Sequence, residues 1–140
     1  MSNCLRWQKF WISIWIFGMC VGAALSLMPT TPRDEVIPHL DKLIHGCAYA
    51  LLAVFAVCIF QEKYSRWKAI IWLILFGGLI ELAQGYFPTG RSMELADFIA
   101  NTIGIGLGVL LAKHWNVLHF IERKFFKIFK TVFKIKILNC

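Results

Sequence analysis

An all-α integral membrane bundle of four transmembrane helices, followed by a C-terminal amphipathic interfacial helix, is the fold class that this sequence predicts. Three observations carry the prediction. First, 59% of the 140 residues are apolar and only 16% are charged, against about 45–50% and about 25% in soluble domains. Second, mean hydropathy is +0.64, which leaves too few polar residues to cover the large relative surface of so short a soluble chain. Third, the scarce charges are spaced so that four long runs nearly lack them. The length allows one such domain and no separate soluble catalytic domain.

The first span runs from Phe10 to Met28, in the interval between Lys9 and Arg33, which carries no charge. It meets the roughly 20-residue requirement for crossing hydrocarbon and exceeds the usual 7–15 apolar residues of a signal peptide. Pro29, Pro32 and Pro38 fill the connection that follows, where helices end readily. The second span, Leu43 to Phe60, contains no Asp, Glu, Lys or Arg. Trp67 to about Tyr86 makes the third, interrupted by Glu81 near its end, and Leu95 to about Ala112 the fourth, with Asp97 near its start.

Orientation follows from the Lys and Arg positions, because cytoplasmic loops retain them. With four spans, the N-terminus (Arg6, Lys9), the second loop (Lys63, Arg66, Lys68) and the tail (Lys113, Arg123, Lys124, Lys127, Lys130, Lys134, Lys136) share one side. Only Arg33, Lys42 and Arg91 fall on the other. The expectation is therefore a multi-pass membrane protein with both termini in the cytoplasm.

Two segments result: residues 1–112, the four-helix membrane domain, and residues 113–140, a basic tail. At 100° per residue, Arg123, Lys127, Lys130 and Lys134 of the tail share one face, opposite Ile121, Phe125, Ile128, Phe129, Val132 and Ile135. Such a helix lies on an anionic leaflet, and its continuous apolar face favours membrane over nucleic acid as partner. Of the five cysteines, Cys20, Cys47 and Cys58 sit in spans, Cys4 and Cys140 on the reducing side, and no CxxC pair occurs. They read as small apolar packing residues rather than a disulfide framework.

Polar residues inside the spans are the informative feature. Asp41 and His45 (i, i+4) begin the second span, Glu81 and Gln84 (i, i+3) end the third, and Asp97 and Asn101 (i, i+4) begin the fourth. Each pair shares a helix face. Span direction sends all three pairs to the extracytoplasmic end, with Lys42 and Arg91 in the adjoining loops. A carboxylate at the bilayer centre costs roughly 2.5–3.5 kcal/mol on insertion scales, so Glu81 and Asp97 should face the bundle interior or a wet cavity. The candidate ligand-binding set is Asp41, Lys42, His45, Glu81, Gln84, Arg91, Asp97 and Asn101.

The same residues carry a resemblance. Asp41-Lys42-Leu43-Ile44-His45, then Glu81-Leu82-Ala83-Gln84, then Gly90-Arg91-Ser92-Met93-Glu94-Leu95-Ala96-Asp97-Phe98-Ile99-Ala100-Asn101-Thr102-Ile103-Gly104 resembles the VanZ-like family of small bacterial membrane proteins over about residues 10 to 112. Gly46-Cys47 departs from the aromatic residue more usual after the histidine. The founding member of that family is associated with low-level resistance to the glycopeptide teicoplanin, a drug that acts on cell-wall precursors at the outer membrane face. Most relatives have no assigned activity, and resistance is not carried over to this chain.

Three functions for the polar set are open at this stage. Lys42 and Arg91 beside buried acids suit an anionic envelope lipid or precursor. Glu81, Asp97 and His45 could instead carry acid/base work in a membrane-embedded hydrolase or transferase, with Ser92 a nucleophile candidate. Or the polar groups only hold the helices together. Asp41, His45, Glu81 and Asp97 also form a conceivable divalent-ion set, but with one histidine in the cluster and no HExxH no metal site is assigned. No cofactor is expected. Gly104, Gly106 and Gly108 do not make a nucleotide loop, since no GxGxxG or strand accompanies them. Gly104 with Gly108 and Gly18 with Gly22 fit GxxxG instead. Close packing within the bundle is their expected use, and homo-oligomerisation through these faces the alternative.

Overall fold

The architecture is an up-down-up-down arrangement of four helices, seen in a computed structural model that describes residues 5, 7–28, 40–87, 93–114, 118 and 120–124. In chain order they are α1 (Gln8–Leu27), α2 (Leu40–Ile59), α3 (Lys63–Tyr86) and α4 (Leu95–His114). Each is long and apolar enough to cross a membrane, as the charge-free runs require: hydrocarbon offers the backbone no hydrogen-bond partners, so each span must satisfy its own as a helix. No strand occurs among the described residues.

Two boundaries differ most from the expected spans. α2 begins at Leu40 rather than Leu43, and α3 at Lys63 rather than Trp67. Absence of charge marks the part of a helix that sits in lipid, whereas Asp41, Lys42, Arg66 and Lys68 are compatible with helical backbone beyond it.

Only residues 60–62 separate α2 from α3, and side chains satisfy carbonyls at the end of α2 and in the turn itself. Arg66 donates from Nε to the Phe60 carbonyl (3.0 Å) and from Nη2 to that of Gln61 (2.7 Å). Gln8, at the start of α1, donates to the carbonyl of Ile59 (3.3 Å). A cation here also meets the negative end of the α2 dipole.

The most extensive contact joins α2 to α4, not to its neighbour in sequence. Small residues make it: a Cβ placed at Gly104 would fall on the carbonyl of Gly46, and one at Gly108 on the carbonyl of Ala50 and within 2.9 Å of the Ala53 side chain. Close approach of this kind is how helices gain dispersion contacts in lipid, where apolar side chains have no preference for each other over acyl chains. The Gly104/Gly108 face is thus used inside the chain. On α1, a Cβ at Gly18 would meet the Leu52 side chain at 3.4 Å, and one at Gly22 would face open space.

α1 is the peripheral helix. Its span is 11% buried against 33–39% for the other three, and only Trp15 and Met19 enter the core. Trp15 donates its indole N–H to the Leu52 carbonyl of α2 (2.9 Å). At the opposite end of the sequence, residues 118 and 120–124 are helical, and this segment docks on α1. Leu118 is fully buried, and Glu122 accepts hydrogen bonds from the Trp11 indole (2.8 Å) and the Trp7 backbone N–H (3.3 Å). The start of the expected interfacial tail is therefore attached to protein; its amphipathic part from Phe125 onward lies outside the described residues.

The polarity is inverted relative to a soluble domain. Phe17, Leu25, Leu43, Leu51, Leu82 and Leu111 stand exposed on the outside, whereas the buried set includes Glu81, Gln84, Asp97 and Asn101. Among the described cysteines, Cys58 is buried, whereas Cys20 and Cys47 lie exposed on the outer surface. Their expected role in packing is corrected to that extent, because helical phase turns both away from the bundle.

Candidate functional site

The start of α2, the end of α3 and the start of α4 meet at one end of the bundle, and the polar pairs converge there. Helical phase places Asp41 and His45 on one face of α2, Glu81 and Gln84 on one face of α3, and Asp97 and Asn101 on one face of α4. The close α2–α4 seam at Gly46 and Gly104 lies immediately beneath and sets how near these faces approach.

His45, Glu81 and Asp97 form the centre. A ring nitrogen and two carboxylate oxygens lie within 4.8 Å of one another, and His45 Nδ1 is 4.0 Å from Glu81 Oε1. Glu81 is 3% exposed and Asp97 7%. Asn101, 2% exposed, sits one turn deeper than Asp97, and its Oδ1 receives no hydrogen bond from a described residue.

Lys42 closes the rim. Its ammonium lies 2.8 Å from Glu94, 3.2 Å from Asp97 and 3.5 Å from Asp41, so it ties α2 to the first turn of α4. Gln84 donates to the carbonyl of Ser26 (2.9 Å), which brings the end of α1 to the same place. Four carboxylates, those of Asp41, Glu81, Glu94 and Asp97, thus surround one lysine and one imidazole. Such a cluster can accept protons, orient a donor or hold a cation.

Seven of the eight candidate residues, Asp41, Lys42, His45, Glu81, Gln84, Asp97 and Asn101, are brought to this end, and Arg91 and Ser92 lie outside the described residues. Glu94 is the contributor that the residue pairs missed. Its carbonyl accepts the first backbone bonds of α4, from Asp97 (3.0 Å) and Phe98 (3.4 Å), while its side chain takes Lys42. An acid at a helix N-terminus is a sequence signal for that position. Tyr49, one turn deeper than His45 on α2, is also new. Its ring packs where a Cβ at Gly77 would lie, 3.2 Å away, and Gly77 is one turn from Glu81 on α3.

With this geometry in view, comparison with known proteins is decisive at the level of family. A family profile described as VanZ/LLP1 matches residues 5–121, which takes in all four helices and every polar pair. The chain belongs to the VanZ/LLP1 family. This VanZ/LLP1 protein is also 29% identical over 106 residues to a Schizosaccharomyces pombe protein named Uncharacterized protein C11E3.10. The match covers 74% of this chain and 63% of that relative, so the chain spans less than two thirds of its length. No solved structure matches significantly.

Proposed function

We propose that the polar end of this VanZ/LLP1 protein is a membrane-embedded site that acts on or binds the head group of an anionic cell-envelope lipid or precursor. In this reading the chain sits in a bacterial cytoplasmic membrane with both termini inside, and the site opens to the extracytoplasmic leaflet. The supporting observation is the convergence of His45, Glu81 and Asp97 from three helices. Ionisable groups inside a bundle are costly in lipid and mark functional sites. Helix association alone does not call for them, since well-packed apolar residues often serve stability as well as a buried ion pair does.

Charge balance favours chemistry at the centre over simple anion capture at the rim. Lys42 is already engaged by Glu94 and Asp97, so an incoming phosphate competes with carboxylates for it. Glu81, Asp97 and His45 are placed to touch a head group as acid and base in a hydrolase or transferase reaction. The purely structural reading has its own observation, the Gln84 bond to Ser26 and the Lys42 bridge between α2 and α4.

The test is purified protein in lipid nanodiscs, incubated with polyprenyl phosphates and anionic phospholipids and followed by mass spectrometry. Product or retained lipid in the native protein, lost in Asp97→Asn and Glu81→Gln variants that keep their helical circular dichroism, is the expected result. No turnover and no retained lipid across the panel refutes the proposal. Variants that change only thermal stability favour the structural role.

A further inference from the structure

We infer that His45, Glu81 and Asp97 form a divalent-cation site, with the amide oxygen of Asn101 as a further donor. The inference concerns the free protein and stands apart from the lipid reading. The donor set is rich in acceptors: two carboxylates and an imidazole whose ligand atoms already lie within 4.8 Å of one another. An ion with bonds of about 2.0–2.2 Å to oxygen and nitrogen sets its ligand atoms roughly 3–4 Å apart. Small side-chain adjustments therefore complete the geometry without moving a helix.

A second observation points the same way. Asn101 Oδ1 is buried on the face of α4 that carries Asp97, and no described residue donates a hydrogen bond to it. A buried acceptor without a donor is costly, and a metal ion satisfies it. Charge agrees as well, since a dication offsets acidic charge at Asp97 that Lys42, shared among Asp41, Glu94 and Asp97, only partly neutralises. Carboxylates with one imidazole suit Mn²⁺, Fe²⁺ or Zn²⁺. Bundles commonly assemble such sites from facing helices, which is why no compact ligand motif appears in the sequence.

Lys42 then acts as a competitor. Its ammonium, 3.2 Å from Asp97 Oδ1, occupies charge that the ion would use. Removing it should tighten metal binding, the reverse of what a lysine that merely supports the site predicts.

The experiment uses the full chain in detergent, stripped with EDTA and titrated with Mn²⁺ while the free-ion electron paramagnetic resonance signal is followed. One saturable Mn²⁺ per chain is expected, weakened at least tenfold in His45→Ala and in Asp97→Asn and strengthened in Lys42→Met. Should the weakening variants fail to fold, electron spin echo modulation decides. In a variant with His39→Gln, His114→Gln and His119→Gln, coupling of bound Mn²⁺ to an imidazole nitrogen can come only from His45. Absence of stoichiometric binding, absence of that coupling, or unchanged affinity in folded His45→Ala and Asp97→Asn overturns the inference. No lipid substrate is involved, so a failed titration leaves the lipid reading standing, and an inactive protein that binds Mn²⁺ leaves the metal site standing.

Discussion

Adding one methyl group at Gly104 is the most informative perturbation of the fold, because the same change two residues on, at Gly106, provides its control. A Cβ at Gly104 would overlap the Gly46 carbonyl and lie 2.8 Å from its carbon and 2.9 Å from the Gly46 Cα. Ordinary carbon contacts fall at about 3.5–4.0 Å, so α2 and α4 must separate by roughly 0.5–1 Å along their closest seam. The obstacle is backbone, which no rotamer change can move. Overpacking of this kind costs about 1–3 kcal/mol. At Gly106 nothing lies within 4 Å, and Ala gains up to about 1 kcal/mol of helix propensity over Gly. Because Gly104→Ala gains the same propensity, the two variants should differ by the overpacking alone, about 1–3 kcal/mol, or roughly 5–10 °C in Tm. Thermal unfolding in detergent, followed by circular dichroism, measures the gap. If Gly104→Ala melts with or above Gly106→Ala, the close α2–α4 seam is wrong, and with it the geometry that brings His45 to Asp97.

Three other expectations can be checked with the same protein. Lys42→Met should destabilise by about 1–3 kcal/mol, less than the 3–5 kcal/mol of a fully buried pair, because Lys42 and Glu94 are 24% and 47% exposed; adding Glu94→Gln should restore part of the loss in the same melts. Glu122→Ala removes an acceptor shared by Trp11 and Trp7, which should cost about 1–2 kcal/mol, shift tryptophan emission and speed proteolysis within residues 118–124; unchanged emission and cleavage would show that this segment is not attached to α1. Reporter fusions at Arg66 and Cys140 should read cytoplasmic and one near Pro88 external, and the reverse pattern would place the polar end inside the cell.

The helices were legible because lipid leaves an apolar stretch of that length few alternatives. The convergence of polar pairs was legible because a period of 3.6 fixes which residues share a face, and alternating span direction fixes which ends meet. Long-range partners were not. Lys42 pairs with Glu94, 52 residues away, and nothing in local spacing prefers Glu94 to Asp41 or Asp97. Gly46 carried no recognised signal, since its partner Gly104 sits two helices later, although Gly46 and Ala50 repeat the four-residue spacing of small residues seen at Gly104 and Gly108. The Glu122 contacts to Trp7 and Trp11 were hidden for the same reason: charge pattern announced a surface helix, and one acid between basic residues gave no hint of a partner at the other end of the chain.

The pairing of α2 with α4 also sets a timetable for synthesis. A ribosome adds about 5–20 residues per second, so roughly 3–10 s separate the appearance of Lys42 from that of Glu94. During that interval α2 has neither the glycine surface it will rest against nor Glu94 and Asp97, which lie closest to its lysine, and α3 is made in between. A nascent chain halted after Tyr86 should accordingly hold α2 loosely, open to extraction or to capture by a membrane chaperone, until Leu95 to Gly108 arrives and locks it.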